Sequence, residues 1–328
     1  MKNSGYTSSS HVVYIAGVGR SGSTLLERLI ADRKGFSGLG EVIHLNDRGI
    51  RDNQLCGCGT PFADCEFWAD VGKVAFGGWE NVDGHSQHLL RRSVDRNREL
   101  VRLIFPIGSF RDRIDTYSSY IGSVYAACKT VSGAGALIDS SKHPSYAYLL
   151  RRVPNVDLSV VHIVRDPRGV AYSWAKKMRR PEVTNGDAMM PRYGVARIAM
   201  RWSIWNLLTA SLRLFGVRVL QVRYEQLVAD PAGQVDRIVE FVGVTSTIKD
   251  AERQYDSSQP QGRVHSVAGN PMRFDSRGLT ISADEEWREA LPLRKRLVVS
   301  VVTWPTAVML RMIERRSRRD HSRGMASQ

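Results

Sequence analysis

The stretch that decides the fold runs His11-Val-Val-Tyr-Ile-Ala16 and continues as Gly17-Val-Gly-Arg-Ser-Gly-Ser-Thr24. The first part is a short apolar run rich in β-branched residues, which is typical of a buried parallel strand. The second part is a glycine-containing turn, and the leucines that follow it share one face of a helical pattern. A strand, a glycine-rich turn and a helix in this order open a nucleotide-binding α/β domain.

Later apolar runs extend this pattern. Residues 136–138, 158–164 and 217–222 are further strand candidates with helical stretches between them, whereas Gly35 to Gly40 has the composition of a turn. The alternation predicts an α/β fold with a P-loop-like central parallel sheet flanked by helices.

We expect a single domain over residues 1–328, with four segments outside the regular alternation. Residues 1–10 are polar and predict a flexible tail, without a signal peptide or membrane anchor. Residues 45–131 predict a largely helical insertion on the acceptor side of the site. Residues 253–283 have almost no periodicity and predict a loop that covers a nucleotide. Residues 297–319 predict a C-terminal helical segment.

The composition is that of a globular protein, since 42% of the 328 residues are apolar and 24% are charged. The chain has 47 basic and 33 acidic residues, a net charge of +14, which indicates an anionic partner. We expect no nucleic acid, because the sequence has no arginine-rich recognition element and no aromatic stacking platform. Tyr193, Trp202 and Trp205 recur at helical spacing, and we expect them in the core.

The apolar segment from Leu297 to Leu310 contains Pro305 and precedes several arginines. It is too short to span a bilayer, which takes about 20 residues. We expect a buried helix and favour it over peripheral membrane contact. The few cysteines do not form a disulfide scaffold, so the cytoplasm is the expected location. The sequence does not indicate an oligomeric state.

The glycine-containing turn follows the Walker A pattern with one change, because Ser23 stands where lysine is expected. The glycines still allow backbone N–H groups to face a phosphate at the start of a helix. An NTPase needs the lysine for its terminal phosphates. We therefore expect a single terminal phosphate here, with Arg20 supplying charge.

A second basic turn follows the strand at residues 158–164. Arg165 stands at the carboxyl end of that strand, where open α/β sheets bind ligands, and Ser173 lies about two helical turns further along. Two phosphate-binding turns are what a bisphosphorylated adenosine requires.

At these residues the chain resembles the sulfotransferases that depend on 3′-phosphoadenosine-5′-phosphosulfate (PAPS). Arg20 to Leu26 is similar to the family's 5′-phosphosulfate loop, and Val164 to Ser173 is similar to its 3′-phosphate motif. The likeness extends through Asp139 to Lys142 and Arg223 to Leu227, and is closer to the tyrosylprotein and bacterial branch than to the cytosolic phenol and steroid enzymes. His265 to Phe274 resembles a late bacterial motif that closes over the nucleotide.

The resemblance implies a role for each matching residue. Glu41 would be the general base, with His44 as the second choice, and Lys142 would stabilise the transition state. PAPS, or its product 3′-phosphoadenosine-5′-phosphate (PAP), would be bound by Arg20, Ser21, Gly22, Ser23, Thr24, Arg165, Ser173, Lys177, Tyr224, Asn270 and Arg273. His143, next to Lys142, is either an acceptor contact or a turn residue.

The implied reaction moves a sulfuryl group from PAPS to the hydroxyl of a sugar, lipid, phenol or small metabolite. It requires no metal, because the leaving nucleotide is already stable. Cys56, Cys58 and Cys65 with nearby His44 suggest a structural zinc site, but the spacing departs from the usual pattern. We favour a packed or disulfide-bridged loop.

Two other functions fit part of the sequence. A P-loop kinase or NTPase with a degenerate Walker A loop would need ATP and magnesium, and the missing lysine argues against it. A basic binding protein without turnover would explain the charge but neither phosphate motif.

Overall fold

The computed structural model describes residues 9–176, 192–244, 264–274 and 281–326, with side chains described up to Arg316 in the last range. The strands in these ranges are β1 Ser10–Ala16, β2 Phe36–Gly40, β3 Ala136–Lys142, β4 Val156–Val164 and β5 Arg218–Arg223. They are parallel and form one sheet in the order β2-β3-β1-β4-β5. The predicted α/β fold with a central parallel sheet is confirmed.

Helices cover both faces of this sheet. The α-helices are α1 Ser23–Ala31, α2 Glu66–Phe76, α3 Gly84–Val94, α4 Leu100–Ile104, α5 Gly108–Ser132, α6 Pro144–Leu150, α7 Pro167–Ala175, α8 Val195–Ser211, α9 Tyr224–Ala229, α10 Pro231–Val242, α11 Trp287–Ala290 and α12 Leu293–Ala326. Short 3-10 helices span Val42–His44, Phe62–Asp64, Trp79–Asn81, Asn97–Glu99, Leu212–Phe215 and Pro271–Phe274, and a π-helical stretch spans Leu45–Arg51.

The strand β2 was predicted as a turn, and that prediction is wrong. Its glycines suggest a turn in the sequence, but each is needed for close packing. A Cβ atom on Gly38 would lie 3.0 Å from the Val264 side chain, and one on Gly40 would lie 2.7 Å from the Ala268 carbonyl oxygen. The glycines therefore let the segment that contains Val264 and Ala268 pack directly on this edge strand.

The insertion at residues 45–131 is mainly helical and extends the core on one face of the sheet. Tyr117 and Tyr125 of α5 are fully buried and pack in the same cluster as Tyr14 of β1. On the other face, α1 and α10 cover the sheet with side chains such as Leu26 and Ile238. The site-bearing edge of the sheet thus stands on a core that fixes it from both faces.

The C-terminal helix α12 differs from the prediction in length and burial. It continues through Pro305, and its stretch Leu293–Arg316 is long and apolar enough to cross a membrane by length and composition alone, with 28% of the window buried. Val299 and Leu310 pack with the residues of α7 and α8, whereas Trp304 is 67% exposed. The prediction of a buried helix is right for one face only.

Glu27 joins three elements next to the phosphate-binding turn. It is a buried residue of α1 whose Oε1 accepts from the Gly40 amide at 2.6 Å and whose Oε2 accepts from the Ser140 hydroxyl at 2.6 Å. Burial raises the pKa of Glu27 to about 7, although both hydrogen bonds and the charge of Lys142 oppose the shift. The carboxyl therefore loses its proton in the folded protein only near neutral pH.

We expect the Glu27→Gln variant to change the pH dependence of stability. A carboxyl whose pKa is higher folded than unfolded stabilises the fold below its unfolded pKa and loses that contribution as pH rises through its folded pKa. From about pH 5 to about pH 8 this lost stability is on the order of 2 kcal/mol. Glutamine can accept from Gly40 and donate to Ser140 at any pH. Urea unfolding should show the variant gaining on the wild type as pH rises.

The control is Glu240→Gln, which removes an exposed carboxylate from α10. Its difference from the wild type should stay constant with pH. A Glu27→Gln variant with the same constant difference would show that Glu27 is not protonated in the folded protein.

Candidate active site

At the carboxyl edge of the sheet, each strand ends at or next to one of the predicted site residues or loops. The loop from Gly17 to Gly22 follows β1, Glu41 follows β2, Lys142 ends β3, Arg165 follows β4 and Tyr224 follows β5. Gly19, Arg20 and Gly22 of this loop line one cavity of about 720 Å³ with Glu41, Lys142, Arg165 and Tyr224, and Ser23, Thr24, Ser173 and Asn270 line it as well. That volume suits a nucleotide and part of a second substrate.

The glycine-containing loop packs tightly against β4 and the start of α9. A Cβ atom on Gly17 would lie 2.5 Å from the Ile163 carbonyl oxygen, and one on Gly22 would lie 2.5 Å from the Tyr224 ring. The Gly17 amide also donates to the Lys142 carbonyl at 3.2 Å. The loop is therefore held against its neighbours by contacts that a larger residue would break.

The same loop offers donors for an anion. Gly22 caps α1 in the left-handed region at φ 93, and no side chain caps the helix, which leaves its first amides for a ligand. The buried hydroxyl of Ser21 has no hydrogen-bond partner among the described residues. Arg20 lines the cavity from a left-handed backbone at φ 75, a strained conformation common at binding sites.

Glu41 and Lys142 form a partly buried ion pair inside the cavity. Lys142 Nζ donates to Glu41 Oε1 at 2.5 Å and to the Ser140 carbonyl at 3.1 Å. Lys142 also has a left-handed backbone at φ 72. His44 Nε2 lies 3.8 Å from Glu41 Oε2, and Asp47 Oδ2 lies 3.2 Å from His44 Nδ1. An ammonium group, a carboxylate and an imidazole thus lie next to one another at the cavity.

The charges of these groups set their protonation. Burial raises the pKa of Glu41, but the charge and the hydrogen bond of Lys142 outweigh it and hold the pKa at about 2. Burial lowers the pKa of His44 despite its hydrogen bond to Asp47. At neutral pH, Glu41 is therefore an anion and His44 is neutral.

Arg165 lies at the other end of the cavity. Its side chain is 7% exposed, and Nη2 is 2.9 Å from Asp284 Oδ2, while Nη1 donates to the Arg20 carbonyl at 3.1 Å. The guanidinium stacks over the Tyr224 ring at 4.3 Å from its centre. An arginine held in this way and paired with a carboxylate could bind a phosphate in place of that carboxylate.

Basic residues of α7 and its end complete this region. Ser173 lines the cavity beside Trp174 and Lys176. Lys176 pairs with Glu286, which also accepts from the Tyr172 hydroxyl. Lys177 lies outside the described residues.

Three predicted site residues, Ser21, Arg273 and His44, do not line the cavity. Arg273 is buried and donates to the Leu55 carbonyl at 3.0 Å, so it ties its segment to the insertion. His44 contacts the cavity residue Glu41, with 3.8 Å between His44 Nε2 and Glu41 Oε2.

The rest of the cavity wall includes Trp174, Trp205, Arg201 and His143, and the insertion contributes Arg48. The sequence offers only His143 among these five as an acceptor contact. Arg201 stacks over the Trp205 ring at 4.0 Å, and the His143 ring lies 4.8 Å from the same ring. Trp202 and Trp205 both belong to the core as predicted, and Trp205 also lines the cavity. Helical spacing predicts the burial of Trp205 and gives no signal of its place in the wall.

The known proteins that this chain matches are described as sulfotransferases. The family model described as "Sulfotransferase family" matches residues 13–248. The chain is similar to the sulfotransferase domain from the Synechococcus PCC 7002 olefin synthase, at 22% identity and a TM-score of 0.50, over 92% of this chain and 96% of that chain. It is also similar to the sulfotransferase domain from the curacin biosynthetic pathway, at 18% identity and a TM-score of 0.46, over 90% and 99% of the two chains. A search of curated proteins returned no match.

The Arg165→Ala variant should bind PAP about 30-fold more weakly, a loss of about 2 kcal/mol, in the range for a charge-assisted contact. Binding of AMP, which lacks the 3′-phosphate, should change much less. Calorimetric titration of both nucleotides measures the difference.

The matched control is Arg168→Ala, which removes a nearby arginine paired with Asp166 outside the cavity wall. It should leave both affinities nearly unchanged. An equal loss for AMP and PAP in Arg165→Ala would show that Arg165 does not bind the 3′-phosphate.

Proposed function

The chain belongs to the sulfotransferase family, and we propose on this basis that it transfers a sulfuryl group from PAPS to an acceptor hydroxyl and releases PAP. The observation that carries the proposal is the convergence of two anion-binding regions and the Glu41–Lys142 pair on one cavity. The loop at Arg20 to Thr24 would bind the 5′-phosphosulfate. Arg165 and Ser173 would bind the 3′-phosphate.

The competing activity is phosphoryl transfer from ATP. It would need a lysine at the position of Ser23 to neutralise the β and γ phosphates. The cavity has a lysine, Lys142, but it ends β3 and is paired with Glu41. This arrangement favours a donor with a single terminal phosphosulfate over a donor with a triphosphate.

The proposed step is an in-line displacement at sulfur. The acceptor oxygen forms a bond to sulfur while the bond from sulfur to the bridging phosphate oxygen breaks, and PAP leaves with that electron pair. Glu41 takes the acceptor proton. Lys142 and the loop amides offset the charge that builds on the bridging oxygen. We expect the step to need no metal ion, because the leaving nucleotide is already stable.

The ion pair suggests how Glu41 becomes a base. With Lys142 at 2.5 Å, the carboxylate is a weak base, with its pKa at about 2. A bound sulfate would draw the ammonium toward its own oxygens. Burial, which opposes the low pKa, would then make the carboxylate more basic. His44, held by Asp47, would keep the other carboxylate oxygen in place.

The acceptor would lie against the aromatic wall. Trp174 and Trp205 offer stacking surfaces for a ring-bearing acceptor, whether sugar or phenol, and Arg201 adds a positive charge for an acidic substituent. A mass-spectrometric screen of hydroxyl compounds with labelled PAPS would identify the class.

PAP should stabilise the protein without added magnesium, by about 2.7 kcal/mol at a hundredfold excess over its Kd. ATP should give a much smaller shift, with or without magnesium. Thermal unfolding with each nucleotide measures both effects. Radiolabelled PAPS then tests transfer to the acceptors found by the screen.

The activity proposal has a clear contrary outcome. Stabilisation by ATP equal to that by PAP, or a strict magnesium requirement, would favour the kinase or NTPase alternative. An absence of any nucleotide effect would favour the binding protein without turnover.

The Glu41→Gln variant should lower kcat by about 10²- to 10⁴-fold, the usual cost of removing a general base. Its PAP affinity should change by less than about threefold, because the carboxylate acts on the acceptor and not on the nucleotide. Lys142→Ala should also lower kcat more than PAP affinity. Steady-state kinetics and calorimetric titration separate the two quantities.

His44→Ala is the comparison variant, and its kcat should fall less than that of Glu41→Gln. Near-wild-type turnover by Glu41→Gln would exclude Glu41 as the base, and a larger loss in His44→Ala would assign the role to His44.

A further inference from the structure

Three cysteines and a histidine meet on the side of the insertion that faces the segment of residues 264–274. They are Cys56, Cys58, Cys65 and His265, whose ligand atoms all lie within 4.8 Å of one another. None of them lines the cavity. The histidine comes from a segment about 200 residues away in sequence, so the fold creates this cluster.

The spacing of the four atoms matches a tetrahedral metal site. Cys65 Sγ lies 3.6 Å from Cys56 Sγ, 3.7 Å from Cys58 Sγ and 3.2 Å from His265 Nδ1. A zinc ion with bonds of about 2.3 Å to sulfur sets its sulfur atoms about 3.8 Å apart, and sets sulfur and nitrogen roughly 3.5 Å apart. The distances need only small adjustments to reach these values.

We propose that Cys56, Cys58, Cys65 and His265 bind one structural zinc ion. Three thiolates and one imidazole form a closed set of four ligands, which is typical of structural sites and leaves no position for a substrate. The earlier expectation paired the cysteines with His44. That histidine instead contacts Asp47 and Glu41.

The backbone around the cysteines is shaped for this purpose. The Cys56 amide donates to the Thr60 carbonyl at 2.8 Å, and the Gly59 amide donates to the Cys56 carbonyl at 2.9 Å. The chain therefore forms a tight turn, and the sulfurs of Cys56 and Cys58 both lie next to that of Cys65. A Cβ atom on Gly57 would lie 2.4 Å from the Val264 carbonyl oxygen. Only glycine lets the turn approach the histidine-bearing segment this closely.

Neighbouring aromatic residues fix the histidine. The Trp68 indole donates to the His265 carbonyl at 2.9 Å. The Phe67 ring stacks on the imidazole at a centroid distance of 4.9 Å. Such contacts orient a ligand before the metal arrives, as the supporting residues of metal sites do.

A disulfide is the competing explanation of the cysteines. It would join two of the three sulfurs and leave the third, and it would give no role to an imidazole nitrogen 3.2 Å from Cys65 Sγ. A zinc ion would use all three sulfurs and the imidazole, because the metal takes the place of the protons that the three thiols release.

The position of the cluster indicates which segments a bound ion would join. It would join the insertion to the segment of residues 264–274. In this segment, the Val267 amide donates to the Leu39 carbonyl, and the Ala268 carbonyl accepts from the Glu41 amide. Asn270 of the same segment lines the cavity. The ion would therefore fix the wall that carries Asn270 and the backbone that holds Glu41, without touching the reacting atoms.

The test uses the full chain, purified under reducing conditions without a chelator. Elemental analysis should find about one zinc per chain. After chelation, added cobalt should give the absorption bands of tetrahedral thiolate coordination. Cys58→Ser, at the least buried cysteine of the three, should lose zinc affinity by more than the 10- to 100-fold typical of a residue that only supports a ligand. Its PAP affinity should also fall.

The matched control is Cys128→Ala, which alters a buried cysteine outside the cluster and should keep one zinc per chain. His265→Gln should weaken zinc binding while all cysteines remain. A chain that contains no metal and takes up neither zinc nor cobalt would overturn the proposal. So would a disulfide among the three cysteines found by mass spectrometry, or a Cys58→Ser variant that retains zinc like the control. None of these measurements depends on sulfuryl transfer.

Discussion

The buried carboxyl of Glu27 is the interaction on which the candidate site depends. It joins α1, the end of β2 and the end of β3 through hydrogen bonds of 2.6 Å to the Gly40 amide and the Ser140 hydroxyl. Those elements adjoin the glycine-containing loop, Glu41 and Lys142. A buried polar group is stable only when its hydrogen bonds are made. One buried side chain therefore ties the loop, Glu41 and Lys142 to one another.

The sequence predicts the parts of the fold and site that depend on local pattern. β1, β3, β4 and β5 are apolar runs, and the site residues at their ends follow because parallel strands share one carboxyl edge. The pattern fails for β2, where Gly38 and Gly40 are present for packing against residues distant in sequence. For Trp205 the pattern predicts the burial but not the place in the cavity wall, since helical spacing is the same for both roles.

The cysteine cluster shows why a ligand set is harder to predict than a loop. His44 is the histidine close to the cysteines in sequence, yet His265 is the one close in space. Proximity along the chain is informative only within one turn or one helix. Here the fourth group arrives through the contact of Gly57 with the backbone of Val264, a contact that depends on the completed sheet.

Two cations of the candidate site are each paired with a carboxylate, and this pairing bears on how the site would accept an anionic donor. A buried cation without a partner is costly, and Glu41 pairs with Lys142 while Asp284 pairs with Arg165. A donor with a sulfate at one end and a 3′-phosphate at the other would take over both cations. The carboxylate released at the sulfate end would be Glu41, the proposed base. In this arrangement, Lys142 would keep Glu41 a weak base until the donor binds and draws the lysine away.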